Sequence, residues 1–110
     1  MKNNPEIEEL RIATERLHNC SASYVESVEV FETFQGQTVW EGIVDVFYIK
    51  GNALATRCYT WSSPIEGSTK RKFFAVLHVP PVTSARDAVR AAIVQDTEPI
   101  SETMVAKLVD

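Results

Sequence analysis

Between Pro5 and Asn19 the positions Ile7, Leu10, Thr14 and Leu17, with Ala13 beside them, recur at steps of three and four. That spacing puts them on one stripe of a helix. Asn4 can cap it, and Pro5 suits the first helical position, where its missing N–H is no loss. Glu6, Glu8 and Glu9 complement the positive end of the helix dipole, and Arg16 and His18 the negative end. The pattern predicts a helix over Pro5–Asn19, with His18 solvated near its end.

The period then shortens. Tyr24–Phe34 is rich in Val and Phe with Glu26, Glu29 and Glu32 interleaved, and Gln35-Gly36-Gln37 supplies a hairpin turn. Val39–Ile49 alternates, with Trp40, Val44, Val46 and Tyr48 on one side and Val39, Glu41, Ile43, Asp45, Phe47 and Ile49 on the other. Gly51-Asn52 makes the next turn, Leu54–Trp61 a third strand and Ser62–Thr69 a loop. Lys72–Val79 is the fourth strand, with Phe73, Ala75, Leu77 and Val79 as its apolar side. Pro80-Pro81 ends it, because neither proline donates to a ladder. A helix is predicted from Ser84, with Asp87 three residues on as in a capping box and Ala85, Ala88, Val89, Ala92 and Ile93 as a narrow stripe. Beyond Pro99, Ile100-Ser101 with Met104, Val105 and Leu108 suggests a short last helix.

The order α-β-β-β-β-α predicts an α+β fold: an N-terminal helix, a four-stranded antiparallel meander and a C-terminal helix, in one domain spanning residues 1–110. Each helix has one apolar stripe, so both are expected on one face of the sheet. The opposite face should then be polar, yet Ile43, Phe47, Ile49, Phe74 and Val76 fall there. Contiguous apolar area of this kind marks an interface. Ile43, Phe47, Phe74 and Val76 are therefore the expected contact surface, most economically with a second copy in a homodimer. In the third strand, Arg57, Tyr59 and Trp61 alternate with Leu54, Thr56, Cys58 and Thr60, and either set can face inward.

Composition narrows the class. The chain has 110 residues, 45% hydrophobic and 24% charged, with a net charge of −4. This is the profile of a single globular domain rather than a disordered chain. The negative balance disfavours nucleic acid and anionic membranes. No signal-like or membrane-spanning apolar run is present, which predicts a cytoplasmic protein whose two cysteines, Cys20 and Cys58, are free thiols.

Candidate chemistry is sparse. His18, His78, Cys20 and Cys58 lack the spacing of a metal site, and a Cys58–His78 nucleophilic pair is a remote reading beside that of a small packing residue. With four glycines, the chain has neither a phosphate loop nor a nucleophile elbow. Glu26, Glu29, Glu32, Glu41 and Asp45 read as the solvated acids that guard a sheet edge. Thr69-Lys70-Arg71-Lys72, with Tyr59 and Trp61, is a faint nucleic-acid signal outweighed by a solvated strand entry. Gln37-Thr38-Val39-Trp40-Glu41-Gly42 resembles the Gln-x-Val-x-Gly hairpin of cystatins, cysteine-protease inhibitors in which a helix precedes antiparallel strands. Here the glycine stands one residue late, the motif lies inside a strand, and the second helix is foreign to that family. The helix–sheet–helix order is similar to the ubiquitin-conjugating and RWD folds in topology alone, which carries no function.

These readings point to a non-enzymatic binding or assembly module, homodimeric through the outer face of its sheet, with no cofactor or metal. The alternative is a small-molecule-binding protein or minor enzyme. Its pocket would lie between sheet and helices, lined by Trp40, Tyr48, Tyr59 and Trp61, with Arg57 as polar anchor.

Overall fold

The structure is a computed structural model that describes residues 5–97 and 105–109. Its elements are α1 (Pro5–His18), β1 (Ser21–Phe34), β2 (Gln37–Lys50), β3 (Arg57–Pro64), β4 (Arg71–Leu77), α2 (Ala85–Thr97) and β5 (Val105–Val109). The strands form one antiparallel meander in the order β1-β2-β3-β4-β5. The class is α+β as expected, with five strands instead of four.

Local chemistry sets the ends of the elements. Asn19 takes a left-handed φ of 50°, and the Cys20 N–H bonds back to the Glu15 carbonyl at 3.2 Å, which closes α1 as a Schellman motif. The expected cap of that helix, Asn4, lies outside the described residues. Gln35 and Gly36 both have positive φ (51° and 77°) between the paired Phe34 and Gln37, a two-residue turn matching the twist of its strands. Ser84 Oγ accepts the Asp87 N–H at 3.2 Å, and the Asp87 carboxylate accepts both the N–H and the hydroxyl of Thr83. The Ser84 half is the capping expected at the start of α2, while Asp87 reaches back to Thr83 in place of the Ser84 N–H.

The two helices lie on opposite faces of the sheet, not on one. Leu10 and Ala13 of α1 pack with Phe47, Ile49, Cys58, Phe73, Ala75 and Leu77. Ala85, Ala88, Val89 and Ala92 of α2 pack with Val30, Val44, Val46, Tyr59, Trp61, Phe74 and Val76. Each central strand thus buries both of its sides. In β3 Tyr59 and Trp61 face α2 and Cys58 and Thr60 face α1, while Arg57 is exposed and Leu54 and Thr56 precede the strand, exposed as well. The apolar sides of β2 and β4 that the sequence suggested as a common core belong to different layers: Val44 and Val46 lie under α2, and Phe73, Ala75 and Leu77 under α1. A stripe on each helix is satisfied by either face, so amphipathicity alone does not assign a side.

The surface expected to bind a second copy is altered accordingly. Phe47, Phe74 and Val76 are buried within the chain, and of that set only Ile43 is exposed. The predicted helix at the C-terminus is replaced by β5, which pairs with β4 from Lys72↔Val109 to Val76↔Val105. Val105 joins the α2 layer and Leu108 the α1 layer. Their spacing of three, read as helical, is what a strand covered on both faces also shows. Ile100, Ser101 and Met104 of that expectation lie outside the described residues. No helix among the described residues is long and apolar enough to cross a membrane.

Candidate functional site: the fork between the hairpin and the third strand

The β1–β2 ladder runs the full length of two 14-residue strands. β2 pairs with β3 only from Asp45↔Thr60 to Tyr48↔Arg57. Beyond Val44, β2 stays extended because β1 holds it; beyond Thr60, β3 stays extended because β4 holds it as far as Pro64↔Arg71. Between these segments the sheet is forked. The inner edge of β2 over Gln37–Val44 has no strand beside it among the described residues.

On the α2 face the fork is walled by aromatics. Trp61 stacks on Phe74 with ring centroids 5.2 Å apart, and Trp40 meets Trp61 edge-on at 5.8 Å. Gly42 permits this arrangement, because a Cβ there would stand 3.0 Å from Trp40 Cη2. The indole lies back over the glycine toward β3. Behind the wall, Trp40, Trp61, Ser63, Phe74, Val89, Ala92 and Ile93 line an apolar cavity of about 190 Å³. Glu32, 7% exposed, anchors α2 over the hairpin through Arg90 at 2.7 Å, with Arg86 at 3.8 Å.

On the α1 face the fork is open. The first turns of α1 meet it in a cleft of about 280 Å³ lined by Ile7, Leu10, Ile43 and Trp61, with Glu6, Ser27, Asp45 and Ser62 as polar members. Ser27 donates to the Asp45 carboxylate and also bonds the Tyr24 hydroxyl, which fixes the floor. Farther along the hairpin, past the start of α1, Glu29 pairs across the strands with Ile43 and Phe31 with Glu41. Acid and apolar side chains therefore alternate in both directions on this bare surface, around a shallow depression. Phe31 is 51% exposed and Ile43 54%.

The residues proposed for a ligand pocket share the α2 side of their strands but divide into two groups. Trp40 and Trp61 meet at the fork. Tyr48 and Arg57 are paired and exposed at the other end of β2, where the buried Tyr59 bonds His78 Nδ1 at 2.6 Å. Burial raises the Tyr59 hydroxyl above its ordinary value, and neighbouring Arg57 opposes that. Arg57 is thus no anchor for the tryptophan cavity. The aromatics near the basic Lys70-Arg71-Lys72 run, Tyr59 and Trp61, are buried, and Arg71 is engaged with Ser62.

The thiols lie under α1. Burial pushes Cys58 up to about 12 and raises Cys20, so both stay in the thiol form at neutral pH. No group of three or more His, Cys, Asp or Glu gathers as a metal site among the described residues. Sequence reasoning missed Glu29, Phe31, Glu41 and Gly42 as site members. Their only signal was the alternation of acids with apolar residues, which an ordinary solvated edge shows as well. Comparisons of the chain with protein-family models, curated proteins and solved structures find no match in any of the three.

Proposed function

We propose that the protein is a non-enzymatic binding and assembly module of the cytoplasm, and that its working surface is the open side of the β1–β2 hairpin and the fork it makes with β3. One observation carries this reading. The hairpin outruns its sheet partner β3 and keeps Phe31, Phe34, Val39 and Ile43 at least half exposed, from 50% to 65%. Clustered exposed apolar residues on a strand that lacks a neighbour favour a partner surface over solvent. The free thiols fit a reducing compartment. A small-molecule role is less well supported, since the aromatic cavity of about 190 Å³ is smaller than the roughly 300–1,000 Å³ of ordinary ligand sites.

Of the residues expected to carry self-association, Phe47 is buried under α1 and Phe74 and Val76 under α2, which leaves only Ile43 exposed. On the hairpin, a second copy would set Glu29 and Glu41 against their own equivalents, which disfavours a symmetric contact. A different protein is the better partner. The test compares proteins retained from a host extract by the wild type, by Phe31→Ser/Ile43→Ser, and by Leu54→Ser, which alters an exposed residue away from the hairpin. The reading expects a partner held by the wild type and by Leu54→Ser and lost by the double variant. A partner held equally by all three would refute it.

A further inference from the structure

We infer that the inner edge of β2 accepts an extended segment of the partner as an added strand, and that this segment carries Lys or Arg between apolar residues. The inference rests on the hairpin being the working surface and names what binds there.

The backbone supplies the first argument. Strand addition draws affinity from main-chain hydrogen bonds and selectivity from pockets that take alternate side chains. The edge from Gln37 to Val44 is held extended by β1 and faces no strand among the described residues. Each strand of the hairpin carries one register shift, at Val25 in β1 and at Val39 in β2, so the uninterrupted part of the inner edge is Trp40–Val44.

Shape supplies the second. The α2 side of the fork is closed by Trp40 folded over Gly42 and onto Trp61, so an added strand turns its larger side chains to the α1 side. There the cleft of Ile7, Leu10, Ile43 and Trp61 and the depression beside Phe31 are the places for them.

Charge supplies the third. Glu29 and Glu41 form no ion pair among the described residues and alternate with Ile43 and Phe31 across the ladder. A segment with cations between its apolar side chains matches that alternation, whereas an acidic one meets repulsion at each Glu.

The test displays random octapeptides against the immobilised full chain. The expected consensus alternates Lys or Arg with Val, Ile, Leu or Phe. A synthetic peptide of that consensus should lose about tenfold in affinity on N-methylation of alternate residues, and about tenfold against Ile43→Ser or Glu41→Lys, but bind Leu54→Ser unchanged. Circular dichroism establishes that the variants are folded. An acidic or uncharged consensus, a helical spacing of its apolar residues, indifference to N-methylation, or no enrichment would each overturn the inference. If such a peptide still depends on Ile43 and Phe31, the hairpin survives as the binding surface. Binding indifferent to Ile43→Ser and Phe31→Ser would overturn both readings.

Discussion

Thr14 and Thr60 meet at 2.7 Å between α1 and the sheet, both fully buried. Thr14 donates its hydroxyl proton to the Leu10 carbonyl at 2.9 Å, so the proton between the two hydroxyls belongs to Thr60. Thr14→Val removes the acceptor and leaves a buried donor with only the Cys58 sulfur nearby, at 3.7 Å. The expected loss is about 1–3 kcal/mol, read by urea unfolding. Thr14→Val/Thr60→Val, with neither hydroxyl to satisfy, should recover most of it, and a purely additive double variant would show that the pair is uncoupled. His18 poses a pH question. Burial lowers its pKa from the ordinary 6.5, against the opposing effect of its 2.8 Å bond to the Ala75 carbonyl. The unfolded chain therefore binds the proton more readily. Its contribution to stability is complete above 6.5 and is lost as pH falls through the depressed folded value. His18→Gln should flatten that part of a stability–pH curve measured by denaturant titration. The helical period placed Thr14 in the buried stripe, but read His18 as solvated. The carbonyl that holds His18 lies 57 residues away in sequence, and no local pattern carries that information.

At the scale of elements, the third strand, expected over Leu54–Trp61, runs Arg57–Pro64, whereas α1, the Gln35-Gly36 turn and the alternation of β2 were legible because each is decided by neighbours along the chain. The layer assignment was not, since it depends on which helix lands on which side. β2 and β4 show how the ambiguity arises. A strand covered on both faces reads as two competing apolar sides, and the weaker side was taken for an exposed surface. The same error made Phe47 an interface residue. With α1 over Phe47 and α2 over Val44, Glu at either position buries an unpaired charge costing several kcal/mol, a large part of a total stability of about 5–15 kcal/mol. Phe47→Glu and Val44→Glu are both expected to unfold by circular dichroism, and a folded Phe47→Glu would show that α1 is not where the structure puts it. The Glu32–Arg90 pair makes a related claim for α2. Arg90→Ala strands a nearly buried carboxylate with only Arg86 at 3.8 Å. The expected loss is about 2 kcal/mol, less than for a fully buried pair because Arg90 is half exposed. Chemical denaturation measures it, with Glu32→Gln expected to cost less.

For the whole molecule, relative lengths decide what is left open. α1 and the hairpin strands have 14 residues each, but a helix rises 1.5 Å per residue and a strand about 3.3 Å, so α1 spans about half the hairpin. It covers Ala22, Phe47 and Ile49 at the base and stops at Ile7 and Leu10 beside the fork. The bare remainder carries Phe31 and Ile43, and its acids are what keep such a patch from self-pairing. That role is measurable. At neutral pH and low salt the wild type is expected to stay monomeric across a hundredfold dilution series in light scattering coupled to gel filtration. Glu29→Gln/Glu41→Gln removes two like charges from the patch while leaving Phe31 and Ile43 in place, so it should self-associate at the upper concentrations, and adding Ile43→Ser should return it to a monomer. Raising the salt should move the wild type in the same direction, because screening weakens repulsion between exposed charges. A wild-type dimer that Ile43→Ser dissociates would make the hairpin a surface for the chain's own copy. The acids would then be part of that contact rather than its guard, and the basic partner would lose the charge argument that selects it.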